Sequence, residues 1–168
     1  MAAAPRHSAA VATLALKGTE SVLEIGCGHG VAVREVLVRL TSGTITALDR
    51  SEKMIEAVQA GNAPAIAAGQ LVTRAEALED ADFGDQFFDA IFAVNVDLNL
   101  RLGTRWPVML KQLLRPGGRI VLAFDPPPDT TKGYAFASKS LDRLTTAGFR
   151  AALLPAHGKV TIIRADLA

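Results

Sequence analysis

The segment VLEIGCGHG, Val22 to Gly30, decides the fold class of this chain. Its apolar first half is typical of a short buried strand. Gly26, Gly28 and Gly30 follow at alternate positions. Glycine permits a positive φ and removes the Cβ atom that would keep another molecule away from the backbone. The segment therefore predicts a strand from Ser21 to Ile25, followed by a loop over which a ligand can lie close to bare peptide.

Strand-like and helix-like segments alternate over the rest of the chain. Apolar residues with helical spacing predict helices around 9–16 (with Pro5 in the opening turn), 33–40, 51–61, 64–68, 106–114 and 137–146. The predicted strands are 21–25, 44–48, 71–73, 88–96, 119–124, 150–154 and 160–165. The last two strands are joined by a turn too short for a parallel crossover, so they are expected to pair antiparallel. The alternation predicts an α/β domain whose ligand binds beyond the carboxyl ends of a mostly parallel sheet.

The composition of the chain limits which partners and which cellular location are expected. All 168 residues are expected to form one domain, with a helix in residues 1–18 acting as a mobile cap on a core of residues 21–168. The formal net charge of +1 gives no reason to expect a nucleic-acid partner. No apolar run is long enough to span a membrane, and a single cysteine, Cys27, excludes an internal disulfide. These features predict a cytoplasmic protein.

An acidic residue ends the second predicted strand. Asp49 closes the segment TITALD, on the strand that a parallel sheet places beside the glycine loop. A carboxylate there can accept hydrogen bonds from the two vicinal hydroxyls of a ribose, at about 1.5–3 kcal/mol for each charge-assisted bond. The alternative is that Asp49 only caps the helix that begins near Ser51. The neighbouring glycine loop favours the ribose.

Five segments, in order, resemble the motifs of class I S-adenosylmethionine-dependent methyltransferases. They are VLEIGCGHG, ITALDRSEKMIE, AEAL, FFDAIFAVN and LLRPGGRIVLAF, within roughly residues 21–124. The resemblance implies a Rossmann-like seven-stranded sheet in the order 3-2-1-4-5-7-6, with one antiparallel strand and helices on both faces. It also implies S-adenosyl-L-methionine as methyl donor and S-adenosyl-L-homocysteine as product.

The resemblance assigns cofactor-binding roles along the carboxyl edge of the sheet. In chain order, the implied residues are Glu24, Gly26, Cys27, Gly28 and Gly30 near the methionine part, Asp49 and Arg50 at the ribose, Met54, Ala75 and Glu76 at the adenine, and Asn95 near the methionine and the reactive methyl. Arg74 departs from the family pattern, because relatives often accept a hydrogen bond from the adenine amino group there and arginine can only donate. The adenine contacts are therefore expected to come from the backbone or to be shifted.

A methyl group on a sulfonium is already activated, so few catalytic groups are required. Orientation of the acceptor is worth about 7–11 kcal/mol, and a base is needed only when the acceptor arrives protonated. Asp97, directly after the fourth strand, is the predicted base or acceptor contact on its position alone, and a solvated loop residue is the alternative. No metal site is predicted, because Cys27 and the three histidines are scattered.

The predicted function is methyl transfer to a small molecule. A protein or RNA acceptor is disfavoured by the neutral charge balance, and a homodimer stays open. A non-catalytic protein that binds S-adenosylmethionine or its product, alone or as a partner subunit, is an alternative favoured by the lack of an obvious base. An NAD(P)-dependent oxidoreductase is disfavoured, because the G-x-G-x-x-G pattern of dinucleotide-binding folds needs glycine where Val31 stands.

Overall fold

A computed structural model describes residues 5–125, 130–155 and 158–167. The strands are β1 (Ser21–Ile25), β2 (Thr44–Asp49), β3 (Leu71–Ala75), β4 (Phe88–Val94), β5 (Leu114–Phe124), β6 (Arg150–Leu153) and β7 (Thr161–Asp166). The α-helices are α1 (Pro5–Leu14), α2 (Val31–Arg39), α3 (Glu52–Gly61), α4 (Ala63–Ala67), α5 (Leu98–Leu102), α6 (Trp106–Leu113) and α7 (Thr131–Thr146). No helix among these residues has the length and apolar character needed to cross a membrane.

The strands form a single seven-stranded sheet in the order β3-β2-β1-β4-β5-β7-β6. The first five pair in parallel, and β7 pairs antiparallel with both β5 and β6. The predicted α/β class, strand order and antiparallel hairpin are therefore confirmed. In this order β1 and β4 lie at the centre of the sheet, with the glycine loop beyond the carboxyl end of β1.

Two apolar layers enclose the sheet, one on each face. Successive side chains of a strand point to opposite faces, so Val22 joins one layer and Leu23 the other. Helices α1, α2 and α3 contribute to the first layer, and α5, α6 and α7 to the second. Both faces of β1 are thus buried, which explains its continuous apolar sequence.

Helix α1 is part of the first layer and is not the mobile cap that the sequence suggested. Val11 and Leu14 are at most 1% exposed and pack in the same cluster as the central strands. The Arg119 guanidinium, on β5, donates hydrogen bonds to the carbonyl oxygens of Leu14 and Ala15 at the end of the helix. At its other end, Arg6 forms an ion pair with Asp125, with a nitrogen–oxygen distance of 3.5 Å. The helix is therefore fixed to the core, and only its first turn reaches the carboxyl edge of the sheet.

Three parts of the secondary structure differ from the prediction. The segment after β4 contains α5, which was expected to be a loop. Strand β5 begins at Leu114, earlier than predicted, because Leu114 pairs with Phe88 across an irregularity in the β4–β5 ladder. Helix α7 begins at Thr131 and not at Ala137, because the Thr130 side chain caps it by accepting from the Gly133 backbone N–H at 3.1 Å. The three consecutive prolines at residues 126–128, whose sequence is typical of a loop, lie outside the described residues.

Burial of α1 predicts a clear difference between two valine-to-alanine substitutions. Val11→Ala removes two methyl groups from a position 1% exposed and should lower the free energy of unfolding by about 2 kcal/mol. Val38→Ala makes the same change at a position 86% exposed and should alter it by less than about 0.5 kcal/mol. Urea unfolding followed by circular dichroism measures both. Equal stability of the two variants would show that α1 does not belong to the core.

Candidate active site

The glycine loop is tied directly to the neighbouring strand. The backbone N–H groups of Gly26 and Cys27 both donate to the carbonyl oxygen of Leu48, at 2.7 and 3.0 Å. Gly26 has a φ of 71°, and a Cβ atom there would lie 2.5 Å from Cγ2 of Val96. Gly28 also has a positive φ, of 51°, but no protein atom lies within 4 Å of its Cβ position. Only the second of these glycines leaves open space above the backbone.

Asp49 holds two backbone segments together at the edge of the sheet. Its Oδ2 accepts from the Gly28 N–H at 2.9 Å, and its Oδ1 accepts from the Ser51 N–H at 2.9 Å. The two sequence interpretations of Asp49 are therefore not exclusive, since the same carboxylate orders the start of α3 and the loop. A carboxylate has about four lone-pair sites, so each oxygen keeps capacity for a further donor.

A cavity of about 490 Å³ opens beside this carboxylate, beyond the ends of β1, β2 and β4. Of the residues predicted from the sequence, it is lined by Gly26, Asp49, Arg50, Glu76, Asn95 and Asp97. Sequence analysis missed the apolar part of its lining, which is Ile25, Leu48, Ala77, Leu78, Val94, Val96 and Leu100. In the sequence those residues are ordinary apolar positions, and only the topology brings them together.

The other predicted cofactor residues do not line this cavity. Gly30 has a packing role, because a Cβ atom there would lie 3.0 Å from Cγ2 of Val58 on α3. The Cys27 thiol is buried, and burial, followed by the nearby Glu24 and Asp49 carboxylates, raises its pKa. Met54 is half-buried on α3, and Ala75 is exposed at the end of β3. Their contacts with a cofactor, like that of Gly28, stay predictions.

Glu24 lies under the glycine loop and carries an unsatisfied oxygen. The residue is 2% exposed, and its Oε2 has no hydrogen-bond partner in the described part of the chain. Burial, and then the nearby Asp49 carboxylate, raises the pKa of Glu24 well above its usual range. Leaving such a group without a partner costs about 1–3 kcal/mol. A fold that retains this cost next to a ligand loop fits a site that receives a cation or a hydrogen-bond donor.

Arg74, near the end of β3, is bound by other protein side chains. Its guanidinium forms an ion pair with Glu76 and lies over the ring of Phe83, 4.6 Å from the centroid. Arg74 is therefore held by protein groups and is absent from the cavity lining. Ala77 and Leu78, at the start of a short 3₁₀ helix, supply the cavity wall at this end.

The end of β4 places a polar group between two strands. Asn95 has a φ of 57°, in the left-handed region that non-glycine residues rarely adopt. Its side-chain oxygen accepts from the Asp125 N–H at 2.8 Å, so the amide links the ends of β4 and β5. Asp97 follows as the cap of α5, with its Oδ1 accepting from the N–H groups of Asn99 and Leu100 at 3.0 and 3.2 Å. No hydrogen bond to its Oδ2 is present within the described ranges.

Helix α5 is held in place by a buried polar cluster. Asn99 donates to the Ser140 hydroxyl at 2.7 Å and accepts from the Trp106 indole at 3.1 Å. The Arg143 guanidinium donates to the Asn99 side chain at 2.8 Å and to the Gly103 carbonyl at the end of α5. A helix of five residues is too short to be stable alone, so these contacts fix the position of Asp97 and Leu100.

The basic residues that cluster in sequence around this region do not form one free surface. Arg101, Arg115 and Arg119 form ion pairs with Glu79, Asp89 and Glu20, respectively. Lys111 donates to the Ala147 carbonyl oxygen at 2.9 Å. Across residues 5–125, 130–155 and 158–167, no group of three metal-ligating side chains is positioned to hold a metal ion.

A family model described as the methyltransferase domain matches residues 22–118. The chain belongs to this family. The match covers more than half of the chain and confirms the predicted relationship to S-adenosylmethionine-dependent methyltransferases. Among curated proteins, O-methyltransferase cnsE of Penicillium expansum is 27% identical over 104 residues. That alignment covers 62% of this chain and 37% of the fungal protein, so the chain spans little more than a third of this relative's length.

Solved structures share the same fold at low sequence identity. A Nostoc punctiforme PCC 73102 protein provisionally classed as an O-methyltransferase has a TM-score of 0.79 and 16% identity, over 98% of this chain and 56% of that one. A methyltransferase from Aquifex aeolicus has a TM-score of 0.78 and 15% identity, over 96% and 89%. Magnesium protoporphyrin IX methyltransferase from Synechocystis PCC 6803, solved with bound S-adenosylmethionine, has a TM-score of 0.72 and 19% identity, over 96% and 78%.

The glycine loop predicts that two alanine substitutions affect different properties, stability at Gly26 and ligand binding at Gly28. Gly26→Ala brings a Cβ atom 2.5 Å from Val96 and should lower the free energy of unfolding by more than about 2 kcal/mol. Gly28→Ala meets no protein atom, so it should cost only the backbone strain of about 1–2 kcal/mol while weakening the binding of S-adenosylhomocysteine. Gly84→Ala is the matched control, because its φ of 54° brings similar strain outside the cavity. Unchanged calorimetric binding by Gly28→Ala would contradict a ligand above this loop.

Glu24 predicts a pH dependence of stability with a definite sign. Because its pKa is raised on folding, the folded state holds more protons than the unfolded state above the ordinary value of 4.5, and the free energy of unfolding falls as the pH rises. Glu24→Gln should remove this fall, so its gain in stability over the wild type should grow as the pH rises from 4.5 toward neutral.

Glu20 provides the control of opposite sign for this measurement. Burial acts to raise its pKa, but backbone hydrogen bonds from Lys17 and Gly18, together with Arg119, outweigh burial and lower it. Glu20→Gln should therefore lose stability relative to the wild type as the pH rises through about 4–5. Urea titrations from acid to neutral pH measure both variants. A Glu24→Gln variant that is less stable than the wild type at neutral pH would show that the carboxyl has a stabilising partner.

Proposed function

We propose that this domain binds S-adenosylmethionine in the cavity beside Asp49 and transfers its methyl group to a small-molecule acceptor. The observation that carries the proposal is the Asp49 carboxylate, which is ordered by the Gly28 and Ser51 N–H groups and lines the cavity with spare lone pairs. The family match supports the same cofactor.

The residues present suit each part of this cofactor. Asp49 would accept from the ribose hydroxyls, and the open space above Gly28 leaves room for a chain lying on the backbone. The walls formed by Leu48, Ala77 and Leu78 suit an adenine ring. The orphaned Oε2 of Glu24, under the same loop, suits the cationic end of the methionine part.

The bound cofactor supplies an activated methyl group, and the chain supplies position and charge. The described cavity lining has three carboxylates, including Asp49 and Asp97, against two arginines, so the balance of charge favours a cationic ligand over a neutral one. Asp97 uses Oδ1 to cap α5, and no described residue donates to its Oδ2, so Oδ2 is the atom assigned to remove a proton from a protonated acceptor. In the transfer the acceptor atom forms a bond to the methyl carbon as the sulfur–carbon bond breaks.

The cavity of about 490 Å³ lies within the usual range of about 300–1,000 Å³ for small-molecule sites, which suits the cofactor assigned to it. The class of acceptor is inferred from a sequence relative. The relative cnsE is named an O-methyltransferase, which supports a hydroxyl group as the acceptor in this chain as well.

Calorimetry with Asp49 variants tests the cofactor assignment. Asp49→Ala should weaken the binding of S-adenosylhomocysteine at least about tenfold, because it removes hydrogen bonds worth more than about 1.4 kcal/mol in total. The same substitution should have a much smaller effect on an analogue that lacks both ribose hydroxyls, because that ligand has nothing to donate.

Two further measurements complete this test. Asp89→Ala, which removes an ion pair with Arg115 outside the cavity, is the control and should leave both affinities unchanged. An equal loss for the two ligands would mean that Asp49 acts only by ordering the loop. Turnover measured as release of S-adenosylhomocysteine separates an enzyme from a protein that only binds the cofactor.

A further inference from the structure

A second cavity, of about 310 Å³, adjoins the first beyond the ends of β4 and β5. The two cavities share Asp97 and Leu100, which therefore form the wall between them. Leu100 is 84% exposed although it is a large apolar residue on a helix that the core holds firmly. A molecule in the second cavity would thus lie beside a cofactor in the first, at the boundary that Asp97 and Leu100 share.

One side of the second cavity is aromatic. The rings of Phe124 and Phe136 stack with their centroids 4.3 Å apart and their planes at 21°. Phe136 is 3% exposed, and Phe124, the outer ring of the pair, is half-buried. Both residues line the cavity, so they present an apolar surface to a flat ligand group.

The face of α7 that carries Phe136 also carries two lysines. Lys132 and Lys139 lie seven residues apart on α7, which puts them on one face of the helix with Cα atoms about 10 Å apart. Both line the cavity and are exposed, and within the described chain neither forms an ion pair. Lysine ammonium groups bind carboxylate and phosphate oxygens through charge-assisted hydrogen bonds.

The balance of charge favours an anion in this cavity. Among the described residues, Asp97 is its one acidic lining residue, and the Oδ1 of Asp97 is already occupied by two backbone N–H groups. The first cavity differs, because its described lining has three carboxylates (Asp49, Glu76 and Asp97) and two arginines (Arg50 and Arg101). The formal balance of the lining is therefore one negative charge in the first cavity and one positive charge in the second.

We infer that the second cavity is the acceptor site and that it selects small acceptors carrying an anionic group, a carboxylate or a phosphate, on a flat apolar body. The body packs on Phe124, the anion binds Lys132 and Lys139, and the accepting atom lies at the wall formed by Asp97 and Leu100. This inference rests on the proposed function, because it places the acceptor relative to the cofactor cavity. A neutral analogue of the same shape keeps the aromatic contact and loses the contact with the lysines.

The test uses three monosubstituted benzenes on the isotope-labelled chain, of which benzoate and benzamide share one shape and phenyl phosphate supplies a second anion. Phenyl phosphate, benzoate and the neutral benzamide are titrated in the presence of saturating S-adenosylhomocysteine, with amide chemical shifts as the readout. Both anions should shift the amides of residues 99–100 and 132–139 with dissociation constants in the millimolar range, and benzamide should bind at least about fivefold more weakly. Added salt should weaken the anions and leave benzamide unchanged.

Lysine variants identify the source of the preference. Lys132→Gln and Lys139→Gln should each weaken anion binding, and the double variant should bind benzoate and benzamide equally. Lys17→Gln is the matched control, because it removes one positive charge at the opposite edge of the sheet, outside the second cavity. Melting temperatures equal to that of the wild type confirm that the variants fold.

Three results would overturn the inference. They are equal binding of benzamide and benzoate by the wild type, a preference that survives in the double variant, and shifts that map outside the second cavity. Repeating the titrations without S-adenosylhomocysteine separates this inference from the proposed function. If the anions bind at the lysines while S-adenosylhomocysteine does not bind at all, the anion site stands and the assignment of the cofactor fails.

Discussion

The Asp49 carboxylate is the constraint on which the site depends. One oxygen holds the Gly28 N–H and the other holds the Ser51 N–H, so a single side chain sets the distance between the glycine loop and the start of α3. The Leu48 carbonyl oxygen, one residue earlier, accepts from Gly26 and Cys27 and fixes the other side of the loop. The end of β2 therefore shapes the loop that follows β1. The cavity exists because two adjacent parallel strands end at the same level.

The site has two parts, one supported by buried strands and one formed by short elements. The glycine loop and Asp49 are supported by strands with both faces buried. The wall that carries Asp97 and Leu100 belongs instead to a five-residue helix, which depends on Asn99 and Arg143 for its position. The strand framework can be retained while short helices and side chains beyond β4 and β5 change.

Much of the framework could be read from the sequence because its signals are local. Strand β1 was predicted with its observed bounds, since a doubly buried strand is a continuous apolar run that ends at glycine. The strand order followed from the resemblance of the motifs. Helix α5 was missed because the contacts that stabilise it come from Arg143, forty-four positions from Asn99 along the chain. The early start of β5 was missed because Pro116 and Gly117 normally end a strand, whereas here the ladder bends around them.

The hydrogen bonds of the site were harder to predict from the sequence than the fold. Sequence position placed Asp49, Asn95 and Asp97 at the correct edge. It could not show that Asp97 caps a helix with one oxygen, or that a carboxyl oxygen of Glu24 lacks a partner. Both facts depend on distances set by residues from several strands.

The place of β7 in the sheet has a consequence for the order of folding. It follows β6 in the chain, yet it lies between β5 and β6, and Arg164 on it donates to the Thr13 carbonyl oxygen of α1 at 3.4 Å. Strand β7 and helix α1 thus meet in the same layer. Until β7 has been synthesised, the nascent chain exposes the hydrogen-bonding edge of β5, and such an open edge can bind chaperones or aggregate. Completion of the sheet therefore waits for a strand that is made after both of its neighbours.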